Sequence, residues 1–106
     1  FFLNQNSGPE KQIIGTWYDS KHDSTIVFNS DKTLEVTNNK DESRDGTWKI
    51  AGKYVKIKVS SAASAKAELP GKDEDEKEVK YLKIQFNSIE TVNSDFRVAD
   101  GTFEKQ

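Results

Sequence analysis

Apolar and polar residues alternate with a period of two along most of the chain. In Thr33-Leu34-Glu35-Val36-Thr37, Leu34 and Val36 share one face, and Thr and Glu occupy the other. In Tyr54-Val55-Lys56-Ile57-Lys58-Val59, three branched apolar side chains face one way and two lysines the other. That period is the geometry of a strand buried on one side, and helical spacing fits neither segment. The same reading predicts strands at 13–18, 24–29, 33–38, 45–50, 54–60, 79–88, 95–99 and 102–104. Their inward residues are Trp17, Ile26, Phe28, Trp48, Ile50, Leu82, Ile84, Phe86, Phe96, Val98 and Phe103, with those above.

Short polar clusters separate the strands. Asn29-Ser30-Asp31-Lys32 and Ala51-Gly52-Lys53-Tyr54 read as hairpin turns, the second with a glycine suited to positive φ. Consecutive strands joined this way are antiparallel neighbours, so sequence order predicts spatial order. Residues 12–106 then form one all-β domain, a sandwich or a barrel of antiparallel strands. Two stretches stand outside the pattern. Residues 1–11 read as a flexible arm, in which Phe1-Phe2-Leu3 fits the end of a signal or membrane-anchor segment, or a strand packing its own aromatics. Residues 60–78 show no alternation. Their first half has helix-forming composition and their second half is almost all charge, so the segment reads as a charged loop, either a solvated excursion or a lid or partner-docking arm.

Composition narrows the chemistry. Hydrophobic residues are 33% and charged residues 32% of 106, so the core is small. No cysteine means no disulfide scaffold, thiolate zinc site or cysteine nucleophile, and one histidine excludes a multi-histidine metal site. No metal and no cofactor are expected. Sixteen basic and 18 acidic residues are spread along the chain, which predicts no basic stripe and no nucleic-acid partner. Ser20, His22 and Asp23 lie close together, but adjacent residues rarely give a base the reach to a nucleophile. The acidic run at 73–76 lacks the alternate spacing and turn glycine of a calcium loop. The chain reads as a non-enzyme.

A short pattern occurs three times, as Gly15-Thr16-Trp17, Gly46-Thr47-Trp48 and Gly101-Thr102-Phe103. Each glycine lets the chain bend as a strand starts, and each aromatic then turns inward. With Ile26-Val27-Phe28 leading into Asp31-Lys32-Thr33, and with Leu82, Ile84, Phe96 and Val98 in the late strands, the chain resembles the small bacterial lipocalin-like domains over residues 13–103. Residues 60–78 are unmatched, and Lys32 stands where that family's hairpin usually has glycine, a departure that other hairpin geometries would absorb. The resemblance implies a small antiparallel up-and-down β-barrel of about eight strands (lipocalin-like), no catalytic residues, and a periplasmic or cell-envelope location.

Two functions fit these residues. In one, the barrel is filled by its own side chains and is a non-catalytic interaction module, docking a protein partner in a bacterial envelope setting through Tyr18, Tyr54, Tyr81 and the loops. In the other, it binds a small apolar ligand at the barrel mouth among Trp17, Phe28, Trp48 and Phe86. An eight-stranded barrel of short strands accommodates either state.

Overall fold

The computed structural model describes residues 9–60, 64–69, 80–88 and 100–106. A short helix, α1 (Pro9–Ile13), precedes eight strands: β1 (Gly15–Asp19), β2 (Ser24–Phe28), β3 (Thr33–Thr37), β4 (Ser43–Ala51), β5 (Tyr54–Val59), β6 (Ser64–Glu68), β7 (Tyr81–Ser88) and β8 (Gly101–Lys105). Each strand is antiparallel to the next, and β8 pairs with β1 to close the barrel. The sequence order is the spatial order. The register climbs as it circles the barrel. One hydrogen-bonded row runs from Tyr81, the first residue of β7, through Glu104, Tyr18, Thr25 and Thr37 to Ser43, the first residue of β4. Those two residues lie at opposite ends, so the strands are strongly tilted, as closure requires.

Alternation places the core where the pattern predicts. Trp17, Ile26, Phe28, Leu34, Val36, Trp48, Val55, Ile57, Val59, Leu82, Ile84 and Phe103 are all buried in one cluster, against which Ile50 and Phe86 are partly buried. Phe96 and Val98, with the strand expected at 95–99, lie outside the described residues.

The charged loop expected over 60–78 is in part a strand. Ser64–Glu68 is β6, paired with β5 on one side and β7 on the other. Its buried positions are Ala65 and Ala67, and Ser64, Lys66 and Glu68 face out. The alternation is present but written in alanine, and pairing on both sides overrides a helix-favouring composition. Residues 61–63 and 70–79 lie outside the described residues. Of the arm expected over 1–11, residues 1–8 lie outside the described residues. Residues 9–13 are helical, and Ile13, read as the start of the first strand, is a fully buried helix residue.

The turns follow local chemistry. Gly52 (φ 63) is the first residue of the two-residue loop between Ala51 and Tyr54, the position that glycine takes in a type II′ turn. In the β2–β3 hairpin, Lys32 keeps a φ of 73. The chain therefore holds the left-handed conformation that glycine favours, instead of adopting another hairpin. A lysine is strained there by about 1–2 kcal/mol. Asp31 holds the turn by accepting from the amide (3.0 Å) and the hydroxyl of Thr33. Both bonds favour the carboxylate and hold Asp31 below its ordinary pKa. Buried Asn38 organises the next loop, its Oδ1 accepting from the amides of Lys40 and Glu42, each at 2.9 Å.

The Gly-Thr-aromatic pattern marks close approach more than strand starts. Gly46 lies inside β4, and a Cβ there would overlap the Lys58 carbonyl. Gly101 opens β8, and a Cβ there would overlap the Asp19 carboxylate.

Candidate interaction surface

Antiparallel order gives the barrel two ends. At the first lie α1 and the β2–β3 and β4–β5 turns, and at the second the β1–β2 and β3–β4 loops. Three of the four candidate ligand residues belong to the first end and are committed to packing. Trp17 is 1% exposed, and its indole N–H donates to the Ile13 carbonyl of α1 at 2.8 Å. Trp48 donates from its indole to the carbonyls of Asn29 (3.1 Å) and Thr33 (3.0 Å), which ties β4 to the β2–β3 hairpin. Phe28 meets Trp48 edge-on, with ring centroids 5.8 Å apart. A lysine ammonium lies over each indole, Lys32 at 4.5 Å from the Trp48 ring and Lys105 at 5.7 Å from Trp17. Lys105 also donates to the Gln12 carbonyl at 2.7 Å, fastening α1 across the end. Phe86 is set apart. It lies in the inward row Trp48, Ile57, Ala65, Phe86, with two residues between it and Trp48.

The second end is polar. The described residues include three buried polar side chains, Asp19, Ser24 and Asn38, and all three are here. The Asp19 carboxylate accepts from the Lys21 amide at 2.9 Å and lies 2.7 Å from His22 Nδ1. No buried side-chain nitrogen or oxygen among the described residues lacks a partner. His22 therefore pairs with Asp19, not Asp23. Asp23 instead accepts from the Tyr18 hydroxyl at 2.8 Å, and Ser20 is exposed. The bond to Asp23 resists loss of the phenolic proton and raises the Tyr18 pKa. These contacts account for the turn, and none sets a hydroxyl against the imidazole in a nucleophile's place.

The three tyrosines do not form one patch. Tyr18 and Tyr81 flank Glu104 of β8 in a single outward row, Tyr81 53% exposed and Tyr18 half-buried. Tyr54, 41% exposed, stands on β5 opposite Glu68, with the Lys66 ammonium 5.0 Å from its ring. It belongs to another wall. That wall, on β4 to β6, carries Lys49, Lys56, Lys58 and Lys66 around a trough of about 560 Å³. A spread of lysines in sequence thus becomes a basic stripe in space, contrary to the expectation from the charge distribution. The signal was the lysine at every second position of β5, but its neighbours on β4 and β6 are set by register. Compared with known proteins, the chain matches no family model, no curated protein and no solved structure.

Proposed function

We propose that this chain is a non-catalytic interaction module that docks a protein partner with the outside of a filled barrel. The envelope setting follows the family resemblance. The observation that carries the reading is the state of the candidate ligand residues. Trp17, Phe28 and Trp48 are buried in one continuous core, and both indole N–H groups are spent on backbone carbonyls. A ligand entering among them would have to displace native packing. The outward row Tyr81, Glu104 and Tyr18 offers what partner surfaces favour, exposed aromatic area beside a polar rim. A photo-crosslinking amino acid in place of Tyr81 tests this in the native cells. Conjugation to one discrete protein, competed by wild-type chain and absent when the crosslinker replaces Lys40 at the other end, supports it. Equal labelling from both positions contradicts it.

A further inference from the structure

We infer that the outer wall of β4, β5 and β6 seats the barrel against an anionic lipid surface. Register places Lys49, Lys56 and Lys66 directly opposite one another across three strands. Lys58 stands one repeat further along β5, between Thr47 and Ser64. All four lysines are exposed, and none makes an ion pair with a described residue. Like charges placed directly opposite destabilise a sheet. The chain as a whole carries a net charge of -2, so the wall reflects segregation of charge, not general basicity. On the same outer surface, Asp45 of β4 lies opposite Glu35 of β3 and Glu68 of β6 lies opposite Tyr54, so carboxylates border the lysines at two margins.

The chemistry of the wall selects the kind of anion. Protein interfaces are depleted in lysine and depend on a desolvated aromatic or arginine anchor at their centre. Here the centre is a trough lined by the four lysines, Thr47 and Ser64, and by the strand positions of Trp48, Ile57 and Ala65, which are buried in the core and offer no exposed anchor. Nucleic-acid surfaces add stacking rings or base-reading side chains. The wall has one ring, Tyr54, with the Lys66 ammonium beside it at its edge. Flexible ammonium groups around a shallow trough suit mobile headgroups that supply negative charge without demanding desolvation. A tyrosine at the margin suits the interfacial layer.

The test is co-sedimentation of the purified chain with vesicles of phosphatidylcholine and phosphatidylglycerol in equal parts, against phosphatidylcholine alone. The chain should bind only the anionic vesicles, and salt should weaken binding. Replacing all four lysines (Lys49→Gln, Lys56→Gln, Lys58→Gln, Lys66→Gln) should lower partitioning by about fivefold per lysine, without lowering the melting temperature. The remote pair Lys21→Gln and Lys40→Gln should change it far less. Should the quadruple variant fail to fold, Lys56→Gln with Lys58→Gln gives the same test at smaller amplitude. Equal binding to neutral vesicles, or unchanged binding by the lysine variants, overturns the inference. So does lysine-dependent binding to heparin or single-stranded DNA without vesicle binding, which would assign the wall to a soluble polyanion.

Discussion

The two ends of the barrel are closed by opposite means. At the first, Ile13, Trp17, Phe28 and Trp48 fill the opening with apolar volume, and the indole N–H groups together with the Lys105 ammonium stitch α1 and the β2–β3 hairpin across it. At the second, closure is by Asp19, Ser24 and Asn38, which are buried because loop amides and His22 meet them. The difference teaches what each end tolerates. Apolar closure depends on volume and lacks strict geometry, so loss of a ring leaves a cavity. Polar closure depends on partners, so loss of one acceptor leaves several donors unmet.

Truncation at the apolar end should have the largest effect. Trp48→Ala and Trp17→Ala should each cost about 3–5 kcal/mol, a large part of a small domain's stability, read as a lower urea midpoint by circular dichroism. At the polar end, Asp19→Ala removes the acceptor for His22 and the Lys21 amide and should cost about 1–3 kcal/mol. Gly101→Ala drives a Cβ into that carboxylate and should cost a similar amount, about 1–3 kcal/mol. The pair sharpens the comparison. If Gly101 is glycine because Asp19 fills its space, the double variant is less destabilised than the sum of the singles. Strict additivity would break that link.

Smaller effects separate the hairpin from its indole. Lys32→Gly relieves a left-handed lysine but removes the cation over Trp48. Strain of about 1–2 kcal/mol stands against a contact of about 0.5–1 kcal/mol and glycine's entropy loss of about 0.5–1 kcal/mol. The net change should lie within about 1 kcal/mol of zero. A clear loss would show that the lysine is held there for the tryptophan.

The smallest effects are in pH. Asp31 is held below its ordinary value of 3.8, so its contribution is present above that value and is lost as pH falls from there through the folded pKa. Tyr18 is raised above 10.0, so its contribution is present below that value and is lost as pH climbs past it. Asp31→Asn should remove the acid-side component of a pH titration of the urea midpoint, and Tyr18→Phe the alkaline-side component.

The barrel was legible because large branched and aromatic residues alternate in β2, β3, β5 and β7. It was illegible in β6, where the inward residues are alanines that carry no hydrophobic contrast. The eight strands of the described residues include β6, which was not expected, and the strand expected at 95–99 lies outside the described residues. Ile13 was misplaced by its apolar neighbours, since a five-residue helix shows too little of its period to declare itself. The candidate site was less legible than the fold. The inward direction of Trp17, Phe28 and Trp48 follows from alternation, but their ties to backbone carbonyls depend on where the turns close. The basic wall depends on two successive registers, Lys49 with Lys56 and Lys56 with Lys66, and no linear charge run announces it.

The most direct measurement of the filled interior is native mass spectrometry of the protein purified from its own cells, compared with its denatured mass. A barrel filled by its own side chains gives the mass of the chain alone, or of the chain with an intact protein partner. A small-molecule adduct that vanishes on denaturation, and that Trp48→Phe weakens, would contradict the filled barrel and place a ligand among the tryptophans.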